Sequence, residues 1–143
     1  MHRLDEESTG GKKVKGRKRH IVTDTQGNLL AVEIHAANIH DTVGGCTPIK
    51  TAFKKYPTLK GVCGDEGYRK TFELFAIALG LIVNISKRIK PEWHVLPQRW
   101  CVERTFGWMN HSRRLSKDYE ISTDSAKNFV YISHIATLLK RLC

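Results

Sequence analysis

Two acidic residues stand where the sequence could support chemistry. Asp65 directly follows Gly61-Val62-Cys63, a short stretch typical of a buried strand. Glu103 lies in the segment after Pro97, on the same helical face as Arg99. Each acid taken alone is more often a turn residue or half of a surface ion pair. Together, a carboxylate at a strand end and another on a covering helix could hold Mg²⁺, while arginines bind phosphate.

The segment after Pro97 predicts a helix with two distinct faces. Val102, Phe106 and Met109 are spaced i, i+4 and i+7, so we expect them to face the core. Gly107 lies on the other face, where its missing side chain leaves room for a second molecule to approach. That polar face contains Arg99, Glu103, Gly107, Asn110 and Arg114.

The chain is strongly basic, which favours a polyanionic partner. It has 143 residues, with 24 Lys and Arg against 14 Asp and Glu, a formal net charge of +10. A basic protein gains affinity for DNA by releasing counterions from the phosphates. The charge is concentrated at residues 11–20, which could form either a solvated edge or a patch that contacts DNA phosphates rather than bases. The DNA-binding candidates in this block are Lys12, Lys13, Lys15, Arg17, Lys18 and Arg19.

Cysteine usage and hydropathy predict a cytoplasmic protein that has no membrane partner. The four cysteines form no C-x-x-C pair, and no targeting segment is recognisable at the start. The longest apolar run, at 74–83, is shorter than the roughly 20 residues that a membrane span requires.

Alternating strand and helix patterns predict an α/β fold with a mixed sheet flanked by helices. Apolar runs around a turn at Asp24–Asn28 predict a hairpin, and Asp41 or a residue nearer Thr47 begins the next helix. The predicted order is strand, strand, helix, strand, helix, strand, helix, helix, after a polar tail at 1–10. The last helix, at about 123–142, has an apolar stripe of Phe129, Ile132, Ala136 and Leu139.

Three motifs resemble the catalytic core of DDE transposases encoded by bacterial insertion sequences: "GRKRH", "GDEGYR" and "RWCVERTFGW". The resemblance extends from about Gly10 to about Leu142. It implies a ribonuclease H-like domain over 11–143 that cuts transposon-end DNA and joins the freed 3′-hydroxyl to target DNA. Its cofactor would be Mg²⁺ or Mn²⁺, and its partner double-stranded DNA.

The resemblance also implies roles for individual residues. Asp65 matches the second catalytic aspartate and Glu103 the catalytic glutamate, so both would bind metal. Further DNA contacts are expected from Arg99, Arg104, Asn110, Arg113 and Arg114.

The sequence departs from the family pattern at three points. Leu96 stands where many relatives have tyrosine, and Asn110 where a basic residue is usual. The first catalytic aspartate precedes the basic block in the family, whereas here only Asp5 does, and Asp24 and Asp41 are not at that position. We therefore expect a partial domain that lacks the first central strand and holds metal weakly.

Three functions remain open at this point. The chain could be a transposase domain, catalytically incomplete, that acts as a homo-oligomer. It could be a basic DNA-binding remnant that associates with an intact transposase and inhibits it, or an unrelated nucleic-acid-binding module. His35, His40 and Asp41 could also suggest a metal site, but this spacing is more often turn chemistry.

Overall fold

The computed structural model of the chain describes residues 16–86 and 97–143, with side chains up to residue 86 and from residue 101 onward. The predicted α/β order is confirmed, and the basic residues Lys12, Lys13 and Lys15 lie outside the described ranges. The strands are β1 (Arg17–Thr23), β2 (Leu29–Ala36), β3 (Gly61–Asp65) and β4 (Ile82–Ser86). The helices are α1 (Asp41–Gly44), α2 (Cys46–Lys55), α3 (Thr71–Ala78), α4 (Pro97–Asn110) and α5 (Thr123–Leu142).

Strands β1 and β2 form the predicted antiparallel hairpin. Ile21 lies opposite Val32, and the register shifts once near the turn. The Asp24 carboxylate accepts backbone hydrogen bonds from Gln26 and Asn28, which closes the turn. The turn is therefore built by its own polar side chains, as its sequence indicates.

Strands β3 and β4 form a separate parallel pair, in which Asp65 lies opposite Ser86. The sequence predicts one mixed sheet, whereas the described part of the chain contains two sheets of two strands each. No described strand hydrogen-bonds to both pairs, so the backbone does not join them into one sheet. Both strand pairs instead contribute side chains to a common core.

The hairpin is covered on both faces, which explains its long apolar runs. One face packs against α4 and α5, and the other packs against α2, α3 and the β3–β4 pair. Burial of a full aliphatic side chain contributes about 1.5–3 kcal/mol to the free energy of folding, so the cores on the two faces of the hairpin stabilise the fold. The first core includes Ile21, Val32, Ile34, Phe106, Met109 and Val130, and the second includes Val22, Ala31, Ile49, Tyr68 and Phe72.

Helix α4 confirms its predicted core face, because Phe106 and Met109 are buried and Val102 packs against them. The same helix is fixed to the hairpin turn through Thr105, which is fully buried. The Thr105 hydroxyl lies 2.6 Å from the Gly27 carbonyl oxygen and donates to it. This contact sets the rotation of α4 and therefore the direction of its polar face.

The predicted apolar stripe on α5 is wrong except at Phe129, which packs against the core. Ile132 and Leu139 are more than half exposed, and the helix buries Ala126, Val130, Ser133 and His134. The Leu29 backbone N–H donates to Nε2 of His134 at 3.1 Å, and Ser133 hydrogen-bonds Ser112 at 2.7 Å. Hydropathy alone could not reveal this face, because its polar residues are buried only where they hydrogen-bond with residues far away in the sequence.

All four cysteines are free thiols. Within the described ranges, no helix is long and apolar enough to cross a membrane.

We predict opposite effects on stability for alanine at two helical glycines. A Cβ on Gly44 would overlap the ring of His35 and lie 2.8 Å from Nε2 of His20, whereas a Cβ on Gly107 would meet nothing within 4 Å. Gly44→Ala should lower the free energy of unfolding by about 1–3 kcal/mol through overpacking. Gly107→Ala should raise it by about 0.5–1 kcal/mol, since alanine is the better helix former. Urea denaturation of both variants tests the packing, and an unchanged midpoint for Gly44→Ala would contradict it.

Candidate functional site

A cavity of about 580 Å³ opens where β3 and β4 end. Its position follows from the parallel pairing, which brings the carboxyl ends of both strands to the same edge. The start of α1 and the segment before α3 complete its walls. The lining residues are His40 and Thr42 from the α1 side, Asp65, Glu66, Gly67, Arg69 and Lys70 after β3, and Ser86 at the end of β4.

The Asp65 carboxylate is held in a fixed orientation at this cavity. Its Oδ1 accepts a hydrogen bond of 3.0 Å from the Gly67 backbone N–H, which caps the 3₁₀ turn Glu66–Tyr68. The residue is partly buried and lines the cavity. An oriented, partly desolvated carboxylate is suited to bind a cation.

Asp41 is a second carboxylate close to Asp65, and the sequence suggested it only as part of a metal site with His35 and His40. A Cβ added to Gly67 would lie 3.2 Å from Oδ1 of Asp65 and 3.4 Å from Oδ2 of Asp41. The buried Lys18 ammonium donates a hydrogen bond of 2.9 Å to the other Asp41 oxygen, which makes an ion pair. The two carboxylates thus face the same small space, and Lys18 compensates the charge of one of them.

Behind the cavity, a buried polar cluster joins the two sheets. The Tyr68 hydroxyl lies 2.7 Å from Nδ1 of His20, and both side chains are almost fully buried. The His20 ring stacks on His35, with centroids 4.5 Å apart. Burial and the neighbouring His35 lower the pKa of His20 to about 4, and burial beside Asp41 and Asp65 raises the pKa of Tyr68. Both groups are therefore neutral at pH 7.

The second predicted metal ligand, Glu103, belongs to helix α4. It is exposed on α4, together with Gly107 and Asn110, as the predicted polar face requires. It does not line the Asp65 cavity. The side chain of Arg99, on the same predicted face, lies outside the described part of the chain. The shared role of Asp65 and Glu103 stays a prediction.

The three cations of β1 are held by other groups of the protein. Lys18 and Arg19 are buried, and Arg19 donates to the Leu115 carbonyl oxygen at 3.1 Å. Arg17 donates to the Glu120 and Ile121 carbonyl oxygens. This placement favours a structural role for these three cations over the predicted contact with DNA phosphates.

The cations that follow Glu103 differ in their surroundings. Arg104 contacts the hairpin turn, donates to the Gln26 carbonyl oxygen and stacks on Trp108. Arg114 pairs with Glu120 at 2.5 Å. Asn110, Arg113 and Arg114 are all exposed, and of these three Arg114 is the one paired with a carboxylate.

The alternative metal site at His35, His40 and Asp41 is not assembled. His35 stacks on His20, and the His40 Nδ1 accepts from the Thr42 backbone N–H at 3.4 Å. Among the side chains that the structure describes, no three His, Cys, Asp or Glu residues form a metal-binding group.

In open α/β folds ligands bind outside the carboxyl ends of the strands, which is where Asp65, Arg69 and Lys70 line the cavity. The fold and the cavity thus define an α/β protein with a ligand site at the strand ends, and comparison with known families narrows this class. The model of the transposase DDE domain matches residues 3–139, so the chain belongs to the DDE transposase family.

The chain is also 34% identical, over 119 residues, to a Burkholderia cepacia protein provisionally named as the transposase for insertion sequence element IS402. The aligned region covers 76% of this chain and 56% of that relative. The chain thus spans little more than half the length of the curated relative it matches. No solved structure matches it.

We predict that His20 makes the fold sensitive to acid. Its folded pKa is about 4, whereas an unfolded histidine titrates near 6.5, so the unfolded chain binds the proton first. The free energy of unfolding should therefore fall as the pH drops from 6.5 to 4, by on the order of 2–3 kcal/mol from this group. His20→Asn should flatten this part of the pH profile, whereas His111→Asn on the surface should not. Equal slopes for wild type and His20→Asn would contradict the assignment.

Proposed function

We propose that this chain is the DNA-binding and catalytic part of a transposase that acts at insertion-sequence ends. The observation that carries this function is Asp65, the acid of the "GDEGYR" motif, which lines a cavity beside Arg69 and Lys70. Membership of the DDE transposase family supports DNA as the substrate. The reactions are metal-dependent cleavage at the element's ends and strand transfer to target DNA.

The cavity residues fit a hard divalent cation. Asp65 and Ser86 offer oxygen donors, and no cysteine lines the cavity. Oxygen ligands favour Mg²⁺ or Mn²⁺ over softer metals. We propose Asp65 and Glu103 as the metal-binding carboxylates. When bound, such an ion neutralises charge on the reacting phosphodiester and lowers the pKa of the attacking hydroxyl.

The described residues would divide the remaining work. Asp65, held by the Gly67 N–H, fixes the position of the ion, while the cavity cations attract the DNA backbone. Arg113 and Asn110, exposed after Glu103, are proposed to contact DNA on the α4 side. Arg99, Lys12, Lys13 and Lys15 remain proposed contacts from outside the described side chains.

We further propose that the two strand pairs are parts of one ribonuclease H-like sheet. An antiparallel hairpin followed by a parallel pair, with helices on both faces, supports this assignment. In this arrangement Asp65 would stand at the end of a strand near the middle of the sheet.

A second function is non-catalytic DNA binding, including association with an intact transposase. Its support is that Glu103 is absent from the lining of the Asp65 cavity. In that case the chain would occupy transposon ends, or pair with the active enzyme, and block transposition.

We predict that Asp65→Asn abolishes Mn²⁺-dependent nicking of a duplex made from the DNA that flanks the coding sequence. Loss of a metal ligand should reduce the rate by more than about 100-fold, because ligands matter at least as much as the groups that orient them. Glu103→Gln should have a similar effect. Nicking is measured on a denaturing gel, and binding of the same duplex is measured by fluorescence anisotropy.

Glu66→Gln is the matched control, since Glu66 lines the same cavity but pairs with Arg69 at 2.8 Å. It should keep nearly full activity. Nicking that survives Asp65→Asn would contradict the proposed site. Duplex binding with no nicking by the wild-type chain would select the second function.

A further inference from the structure

Lys70 has a backbone conformation that lysine rarely adopts. Its φ is +64° and its ψ is −103°, and it is the only described non-glycine residue with positive φ. Such a conformation is strained for a residue with a Cβ, whereas glycine adopts it readily. Lys70 also lines the cavity next to Asp65. The strained residue is thus at the proposed site.

One hydroxyl holds Lys70 in this conformation. Thr42 Oγ1 donates to the carbonyl oxygen of Arg69, on one side of Lys70. The same oxygen accepts a 2.9 Å hydrogen bond from the N–H of Phe72, on the other side. Phe72 is buried in the core, so the chain around Lys70 cannot relax without breaking these contacts. The strain is therefore maintained by the surrounding structure.

The ammonium group of Lys70 is available for a ligand. Within the described ranges it has neither a hydrogen bond nor an ion pair. Its neighbour Arg69 pairs with Glu66 at 2.8 Å, so the charge of Arg69 is partly compensated. The Lys70 ammonium is thus a positive charge without a partner among the described residues, in a cavity where Asp65 supplies a negative charge. A cation beside a metal-binding carboxylate fits a phosphodiester, because the two attract different parts of the same charged backbone.

We propose that Lys70 binds a DNA backbone phosphate next to the phosphodiester that reacts at Asp65, and that the Thr42 contacts position it for this contact. This inference rests on the proposed function and adds a positioning residue to it. Lysine at this position lowers the stability of the fold relative to glycine. In return, its ammonium group can bind the phosphate.

The test compares stability with DNA affinity in Lys70→Gly, Lys70→Arg and Lys60→Gly. Lys60 is exposed and directly precedes the first residue of β3, whereas Asp65 is the last residue of that strand. Lys60→Gly therefore removes one positive charge, as Lys70→Gly does, without relieving backbone strain. Thermal unfolding reports stability. Binding to the labelled duplex is measured by anisotropy in Ca²⁺ over a range of salt, with a denaturing gel to verify that the duplex stays intact.

Lys70→Gly should raise the Tm by about 2–8 °C and yet weaken duplex binding. The slope of log affinity against log salt should become shallower by about 0.9, the value for one lost phosphate contact. Lys70→Arg should preserve affinity and slope without gaining stability. Lys60→Gly should leave the slope unchanged.

Binding and salt slope that Lys70→Gly leaves at wild-type values would overturn the role of Lys70 alone. Since this measurement requires no turnover, a chain that binds DNA but does not cut it still reports on Lys70. A wild-type chain that binds no duplex would overturn both the proposed function and the role of Lys70.

Discussion

The hydrogen bond between His20 and Tyr68 is the interaction on which the site depends. It joins the hairpin to the turn that follows β3, and the described strands make no sheet pairing between these two parts. Tyr68 ends the turn that Asp65 caps, so fixing the tyrosine also fixes the carboxylate. Burial disfavours the charged form of each partner, which lowers the pKa of His20 and raises that of Tyr68, so both stay neutral at pH 7. The cost of burying the Tyr68 hydroxyl and the Nδ1 of His20 is offset only while these two atoms are hydrogen-bonded.

Part of the positive charge of this basic chain is used in contacts within the fold. Lys18 and Arg19 come from a block that looks like a DNA-binding patch, but their charged groups are bound to Asp41 and to the Leu115 carbonyl oxygen. A buried cation needs such partners, because desolvation without them would be prohibitive. The cations that we propose to contact DNA are on exposed positions, among them Lys70 at the cavity and Arg113 after α4. Net charge therefore indicates the type of partner without identifying the residues that contact it.

Features that depend on local patterns were predictable from the sequence. The hairpin turn follows from Asp24 and its neighbours, and the core face of α4 follows from the spacing of Phe106 and Met109. Features that depend on distant partners were not predictable. The burial of His134 requires the backbone N–H of Leu29, far away in the chain, and hydropathy places it on the wrong face of α5. For the site, the motif located Asp65 correctly at a strand end, whereas the strained backbone of Lys70 has no signal in its residue type.

The central claim is that Asp65 and Glu103 hold the same divalent ion, although they belong to different elements of the fold. A double-mutant cycle on Mn²⁺ affinity, measured by electron paramagnetic resonance, tests this claim most directly. If the ion is shared, Asp65→Asn and Glu103→Gln should each weaken binding by about 10-fold or more, and the double variant should be little weaker than either single one. Mn²⁺ affinity that depends on Asp65 and is unchanged by Glu103→Gln would contradict the shared site.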